Sequence, residues 1–145
     1  VYKRQVLSSE NQSMTMFAER RLEGFFIDWE SWVGWSAQSL EEVMKRRLKG
    51  SFVMRLRLES EVYYNFDFPP DQEHMWQSYR MYAADGTVMA HGYAPKASAL
   101  DADLRLNSDE KERYLIVRFR YPDSSTQQNQ FLIEEVVSPT WFMAD

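Results

Sequence analysis

His91 is one of only two histidines in the 145-residue chain, and it lies on a predicted strand whose same face carries Thr87, Met89 and Tyr93. Side chains alternate between the two faces of a strand, so these four residues would share their surroundings. An imidazole among them could act as a general acid–base or contact a ligand inside a cavity. A single strand histidine is more often a half-buried polar residue, and the sequence favours that interpretation.

Other residues capable of chemistry are too scattered to define an active site. His74 follows Asp71 and Glu73, but this spacing matches no set of metal ligands, and a solvated loop is expected. Asp101 and Asp103 have no partner for acid–base catalysis in the pattern. A phosphate-binding glycine loop, a nucleophile elbow and an HExxH helix are absent from the sequence. The sequence therefore assigns no catalytic residue and no metal.

Four arginines alternate along two predicted strands, Arg55 and Arg57 on one, Arg118 and Arg120 on the other. If these strands were neighbours, the guanidinium groups could form a patch that binds carboxylates. The arginines lie opposite the apolar face of their strands, so solvent exposure with ion pairs is the favoured expectation. The nearest acidic candidates are three glutamates: Glu59, Glu134 and Glu135.

Aromatic residues are plentiful, with five Trp, eight Tyr and nine Phe. Such side chains fill a core or line a pocket for a flat apolar ligand. Core packing is expected for most of them, including Trp29, Trp32 and Trp35, which recur every three residues. The residues that we would place against a ligand combine aromatic, imidazole and guanidinium groups: Tyr64, Trp76, His91, Tyr93, Arg118 and Arg120.

The composition restricts the class of protein. A chain of this length forms one domain with a self-sufficient core. The absence of Cys excludes disulfides, thiolate zinc sites and Cys nucleophiles, and it fits a reducing compartment, so a cytoplasmic location is expected. The net charge of −5 disfavours nucleic acid as a partner, because phosphate contacts need clustered Lys and Arg. No apolar run approaches the roughly 20 residues of a membrane span.

The first residues have a separate explanation. Val1-Tyr2-Lys3-Arg4-Gln5 resembles the translation of a transposon-end sequencing adapter, which would make residues 1–5 an artefact of environmental, metagenomic sequencing. Polar composition predicts that the whole of residues 1–13 is a disordered lead-in. A single domain is then expected over residues 14–145.

Apolar residues recur at helical spacing over residues 22–33. This pattern predicts a first helix from Ser13 or Thr15 to about residue 34. A short strand around Phe25–Trp29 is the alternative, because Gly24 weakens a helix interior.

A capping box at Ser39-Leu40-Glu41-Glu42 predicts a second helix that ends near Gly50. From Ser51 onward the apolar period changes to two, which indicates strands joined by short turns. The predicted strands cover residues 52–68 with a bend near Ser60, then 76–83, 87–93, 102–106, 114–121 and 130–137. N-terminal helices followed by successive strands favour a sheet-rich α+β fold with an antiparallel meander. Such a sheet either closes, like a calycin barrel of the lipocalin or fatty-acid-binding type, or curls around the helices, like the cone of the nuclear-transport-factor-2 superfamily.

Gly92-Tyr93-Ala94-Pro95-Lys96 follows a predicted hairpin, a later strand ends in Arg118-Phe119-Arg120-Tyr121, and Gln130-Phe131 leads to a break at Ser138-Pro139. Together these pieces resemble the S-type phycobilin lyases of cyanobacteria and algae. The resemblance implies a calycin barrel that binds an open-chain tetrapyrrole (a bilin) and transfers it to a cysteine of a phycobiliprotein, with no other cofactor. The N-terminal half departs from that family, since Gly34-Trp35 stands where the family has a Gly-x-Trp strand opening, and the family's Ser-rich C-terminal segment is missing.

Three functions are open on this basis. The first is a binding domain whose curved sheet encloses an aromatic cavity for a bilin or a lipid-like ligand. The second is a cone-shaped domain with a polar pocket around His91, acting as a small lyase or isomerase or as a homodimer. The third is an interaction module whose exposed sheet pairs with another chain. A dry cavity favours the first, His91 beside a carboxylate in a half-cone the second, and a filled interior with an apolar outer face the third.

Overall fold

Eight strands and two short helices make up the regular structure in the computed structural model, which describes residues 2–7, 13–27, 29–30, 35–64 and 68–141. The helices are α1 (Leu40–Arg46) and α2 (Ala99–Leu104), and Pro70–Gln72 forms one 3₁₀ turn. The strands are β1 (Tyr2–Leu7), β2 (Ser13–Arg21), β3 (Gly24–Ile27), β4 (Ser51–Ser60), β5 (Trp76–Tyr82), β6 (Met89–Pro95), β7 (Glu112–Arg120) and β8 (Gln130–Ser138). The fold is therefore sheet-rich α+β, as predicted.

The five later strands close into a barrel in the order β4-β5-β6-β8-β7. Closure comes from β4, which pairs with β5 near its end and with β7 along its length, from Ser51 opposite Arg120 to Glu59 opposite Glu112. A closed sheet is what the barrel alternative expected, whereas the cone alternative required an open one. The calycin assignment within the barrel class stays a prediction.

The expectation of a simple antiparallel meander is wrong at one connection. After β6 the chain does not return alongside it, because β8 pairs with β6 and does so in parallel, with His91 opposite Gln130. A parallel neighbour requires a crossover, and here α2 and β7 supply it. The sequence pattern of alternating residues is the same for both strand orders, so it does not separate them.

Helix α2 replaces the strand that was predicted at residues 102–106. Ser98 caps the helix, since its hydroxyl accepts the N–H of Asp101 at 3.0 Å. Asp101 and Leu104 are buried, so the helix presents one face to the barrel. This capping signal was in the sequence, but it is followed by only six helical residues, too few to show a helical period.

The barrel interior is filled by side chains. Phe52, Met54, Leu56 and Leu58 alternate along β4 and are at most 7 % exposed, as their spacing predicted. The remaining walls contribute apolar residues from the other four strands, namely Tyr79, Met81, Ala90, Ala94, Leu115, Val117, Phe119, Phe131 and Ile133. Packing is tightest at Gly92, where a Cβ atom would lie 2.4 Å from Met81 Sδ and 2.8 Å from Ile133 Cδ1. Glycine is required there by space, because only it lets the two side chains meet.

The first predicted helix is wrong over residues 13–27, and of its described part only residues 29 and 30 are helical. Residues 13–21 and 24–27 form β2 and β3, which pair as a hairpin, so the alternative of a short strand is confirmed at Phe25–Ile27. Gly24 adopts φ +136°, a conformation that a helix does not use and that the turn needs. Residues 31–34 lie outside the described part of the chain. Tyr2–Leu7, in the segment predicted to lack structure, pairs with β2 as β1.

The second predicted helix is confirmed as α1, although it ends at Arg46, before Gly50. The Ser39 hydroxyl accepts the N–H of Glu42 at 3.1 Å, as the capping box predicted. Leu40 and Val43 are buried against the barrel. None of the described helices is long and apolar enough to cross a membrane.

Candidate functional site

Four of the six predicted ligand residues meet on the outer face of β5 and β6. Their neighbours Ala90 and Ala94 point into the core, so by alternation His91 and Tyr93 point outward. The segment that follows β4 covers them, and its Tyr64 ring stacks on the His91 imidazole with centroids 3.8 Å apart and planes 11° apart. The histidine is thus on the outside of the barrel, which corrects the hypothesis that it contacts a ligand inside a cavity, whereas the favoured interpretation was a polar residue of the strand.

A carboxylate holds the imidazole of His91 in place. Glu61 Oε2 lies 2.7 Å from His91 Nδ1, and Glu61 Oε1 accepts the Arg80 Nε–H at 2.9 Å. The side chains of His91 and Glu61 are 6 % and 8 % exposed. A carboxylate at Nδ1 makes this nitrogen the donor and leaves Nε2 as the atom that could exchange a proton with a substrate. The pair is chemically able to do acid–base catalysis, but its burial favours a positioning role.

Three aromatic rings pack beside this pair to form a second apolar cluster outside the barrel core. The Phe68 ring stacks on Tyr93 at 4.0 Å between centroids, and Trp76 meets Phe68 edge-on at 5.3 Å. Tyr93 is fully buried, and its hydroxyl donates to the Tyr64 carbonyl. The Tyr64 N–H in turn donates to Ser78 Oγ at 3.2 Å, so residues 61–64 are fastened to both strands. We call this set, with His91 and Glu61, the outer aromatic cluster.

The Trp76 indole N–H is buried in the outer aromatic cluster and has no hydrogen-bond acceptor among the described residues. Leaving a buried donor unpaired costs about 1–3 kcal/mol, so an acceptor is expected when the protein does its work. Within the described part of the cluster, this donor is a buried group whose hydrogen bonding a ligand could complete.

Tyr63 lies at the edge of the cluster, with its ring 6.2 Å from Tyr93 and its hydroxyl donating to the Pro69 carbonyl at 3.3 Å. Burial, followed by the charges of Glu73 and Asp71, raises the pKa of Tyr63 above its usual value. The phenol therefore stays a neutral donor at physiological pH.

Arg118 and Arg120 do not belong to this site. They lie on β7, which β8 separates from β6 in the barrel order. Arg118 pairs with Glu135, and Arg120 pairs with Glu134 at 2.9 Å and with Asp123 at 2.8 Å. The predicted six-residue site is therefore divided, with four residues together and two elsewhere.

The four arginines do lie on neighbouring strands, because β4 pairs with β7. The favoured expectation of ion pairs is confirmed for three of them, since Arg57 contacts Glu112 at 3.0 Å and Glu59 at 3.5 Å, and β7 contributes the pairs already described. Separate carboxylates serve each arginine, so no carboxylate-binding patch forms among these described residues.

Arg55 is the exception, because it is 6 % exposed and does not stand in solvent. Its Nε donates to the Trp141 carbonyl at 2.9 Å and a terminal nitrogen donates to the Trp35 carbonyl at 2.6 Å. A further contact of 3.3 Å reaches Glu30. The guanidinium thus fastens the segments that precede and follow the barrel, and the expectation of solvent exposure is wrong here.

The remaining predicted candidates have structural surroundings. His74 is exposed in a turn, and no group of three potential metal ligands occurs among the residues that the structure describes. Asp101 is buried and accepts hydrogen bonds from Tyr79, from Arg105 and from the Ala97 N–H. Burial alone raises the pKa of Asp101, but these donors outweigh it and the net pKa is lowered.

Two of the three regularly spaced tryptophans are exposed, Trp29 by 66 % and Trp35 by 52 %, so the expected core packing is wrong for them, and Trp32 lies outside the described residues. Sequence reasoning also missed Glu61 and Phe68. The signal at Glu61 was weak: the predicted strand continued to residue 68 and placed Glu61 on its polar face, where a carboxylate is usually solvated.

Comparison with protein-family models, with curated proteins and with solved structures finds no match to this chain. The resemblance to phycobilin lyases therefore stays a prediction, and the outer aromatic cluster is the feature of the protein that indicates a function.

Proposed function

We propose that the chain is a binding module that holds a flat, ring-bearing ligand on the outer face of β5 and β6. The observation that carries this proposal is the buried Trp76 N–H without an acceptor among the described residues, set among stacked aromatic rings on the outside of a filled barrel. The partly exposed rings of Tyr63, Tyr64 and Trp76 supply apolar surface for stacking, and the indole donor supplies direction.

The interior offers no comparable site in its described walls. The apolar side chains of five strands fill it, and Gly92 is needed to let Met81 and Ile133 meet. A bilin, which the family resemblance suggests, or a fatty acid would therefore bind on the outer face. A bilin is the favoured ligand because its pyrrole rings stack and its carbonyl oxygens could accept the indole N–H.

The order of the strands supports this location. A five-stranded barrel with one parallel pair and a helix before the fourth strand has the Greek-key order of the OB-fold, in which the second and third strands carry ligands. Here β5 and β6 are the second and third strands of the barrel. The strand order supports only the location of the proposed site, because a fold does not by itself determine a function.

A titration that follows tryptophan fluorescence tests the proposal. Biliverdin and a fluorescent fatty acid are added separately to the full chain and to W76F, with W29F as the matched control. We expect saturable biliverdin binding in the micromolar range, weakened about fivefold in W76F by the loss of one neutral hydrogen bond and unchanged in W29F. No saturable binding of either probe, or equal affinity in W76F and the wild type, would contradict the proposal.

Self-association is a second candidate, favoured by β3. This strand is the edge of the three-stranded sheet, and Phe25, Phe26 and Ile27 are 44–64 % exposed on it. An exposed apolar edge pairs readily with a second copy of itself, because an antiparallel two-fold contact is self-complementary. Sedimentation equilibrium should then show a dimer for the wild type and a monomer for F25K. A wild-type monomer at loading concentrations that differ about 100-fold, on the order of micromolar to sub-millimolar, would exclude this candidate.

A further inference from the structure

A polar pocket lies away from the outer aromatic cluster, where the start of β4 meets the end of β7. Its volume is about 500 Å³, and its walls come from residues 47–51, after α1, and from residues 120–125, after β7. Ser51 and Arg120, which lie opposite each other on β4 and β7, are among its lining residues. A pocket of this size is comparable to sites for small molecules.

Arg47 stands in this pocket as a fixed cation. Its guanidinium donates to the Thr126 carbonyl at 2.8 Å and to the Ser125 carbonyl, and it lies 5.4 Å from the centre of the Tyr121 ring. These partners orient the group without carrying a negative charge, so they leave its charge uncompensated. A guanidinium has more N–H donors than two carbonyls use, and the rest can serve an anion.

The backbone of Arg47 makes its identity notable. The residue has φ 47° and ψ 52°, the left-handed conformation in which a helix usually ends with glycine. A side chain in that position is disfavoured, so arginine there is not explained by the backbone.

The charges around the pocket leave an excess of positive charge. Arg47, Lys49 and Arg120 are the cations, while Asp123 and Glu134 are the carboxylates, which gives three minus two, or +1. Both carboxylates contact Arg120, at 2.8 and 2.9 Å. Among the residues that the structure describes, Arg47 and Lys49 have no carboxylate partner. The excess occurs in a chain whose net charge is −5.

We propose that this pocket binds an oxyanion, the phosphate or carboxylate group of a small molecule. Arg47 supplies a pre-oriented pair of donors that matches two oxygens of such a group, and Lys49 adds a mobile second charge. The pocket shares no residue with the outer aromatic cluster, so anion binding here can be tested independently of the function proposed above.

The test is isothermal titration calorimetry of the full chain with inorganic phosphate and, separately, with succinate, at constant ionic strength. The decisive variant is R47G, which removes the guanidinium and places the preferred residue in the left-handed conformation. We therefore expect R47G to keep or raise the melting temperature while binding the anion at least about tenfold more weakly. The control R46A loses the same unit of charge from α1, where Arg46 pairs with Glu42 at 2.7 Å, and should bind like the wild type.

A third variant, D123N, removes a carboxylate that would repel the anion, and it should bind more tightly. Saturable binding of phosphate alone, of succinate alone or of both supports the proposal and names the source of the oxyanion. The proposal is overturned if the wild type binds neither anion saturably, or if R47G and R46A weaken binding equally, since the effect would then be one of net charge.

Discussion

Gly92→Ala should destabilise the barrel by about 1–3 kcal/mol, the range for overpacking a close-packed core. The added methyl would lie 2.4 Å from Met81 Sδ and 2.8 Å from Ile133 Cδ1. Contacts between such atoms are normally about 3.5–4.0 Å, so the neighbours must withdraw by roughly 1 Å. Met81 Sδ and Ile133 Cδ1 lie near the far ends of their side chains, which can shift, and this keeps the cost within this range. In thermal unfolding the melting temperature should fall by about 4 °C per kcal/mol.

A double-mutant cycle separates this steric cause from a general effect of alanine. Met81→Ala alone should cost about 2–5 kcal/mol, because it leaves a cavity. The methyl added at position 92 would occupy part of that cavity, so the double variant should be at least about 1 kcal/mol more stable than the sum of the single changes predicts. Chemical denaturation of the four proteins measures this. A neutral Gly92→Ala, or strict additivity in the cycle, would refute the tight packing at β6 and reopen the barrel interior as a ligand site.

Three further changes and one matched pair test the rest of the framework. Asp101→Asn should lower the free energy of unfolding by about 2–3 kcal/mol at neutral pH, since it loses a buried charged acceptor. Because the pKa of Asp101 is lowered in the folded protein, the stability that its charge contributes is lost as pH falls below about 4. Urea titrations should therefore show the difference in stability between the variant and the wild type shrinking over that range. Burial and then the Asp101 charge raise the pKa of Tyr79, so wild-type stability should decrease as pH rises above about 10, and less so in Tyr79→Phe. Arg55→Met should cost about 2–3 kcal/mol and redden the tryptophan emission, and unchanged stability would contradict the fastening role of the guanidinium. Ala97→Gly should raise stability by up to about 1 kcal/mol, because Ala97 has φ 58°, whereas the control Ala102→Gly inside α2 should lower it by a similar amount.

The local part of the fold could be read from the sequence. Alternation is a property of each strand alone, and it predicted the start of β4 and both ends of β5, β6, β7 and β8 to within a few residues. The predicted continuation of β4 to residue 68 is wrong, because the strand ends at Ser60 and the described residues 61–64 and 68 are not in a strand. A cap is likewise local, and Ser39 marked the start of α1. The order in which strands meet depends on contacts between distant segments, so the parallel pairing of β6 with β8 left no mark on the sequence of either.

The N-terminal segment shows why a period can mislead. Apolar residues at helical spacing predict a helix only if a surface exists to cover them, and Leu22 and Phe25 are 108 % and 64 % exposed. The positive φ of Gly24 instead allows the turn of a hairpin. The helical spacing is present in the sequence, but no described surface of the barrel covers these apolar side chains.

The candidate site was predictable in its residue types and not in its place. His91, Tyr93, Tyr64 and Trp76 do come together, but on the outer face of β5 and β6. Strand alternation says which residues share a face and does not say which face is inside when both carry aromatic residues. The segment that follows β4 covers the outer face, and its Glu61 and Phe68 could be assigned to the site only once the path of that segment was known.

The hydrogen bonds of the Arg55 guanidinium bring together the two segments that precede and follow the barrel. The carbonyls of Trp35 and Trp141 accept hydrogen bonds from the same side chain, so the points at which the chain enters and leaves the barrel lie within a few residues' span of each other. A folded unit whose first and last segments are adjacent can be inserted into a surface loop of another protein without separating the two sides of that loop. For the same reason, a short linker from residue 141 to residue 35, with new ends opened in the exposed turn at residues 107–110, should give a circular permutant that still closes the barrel.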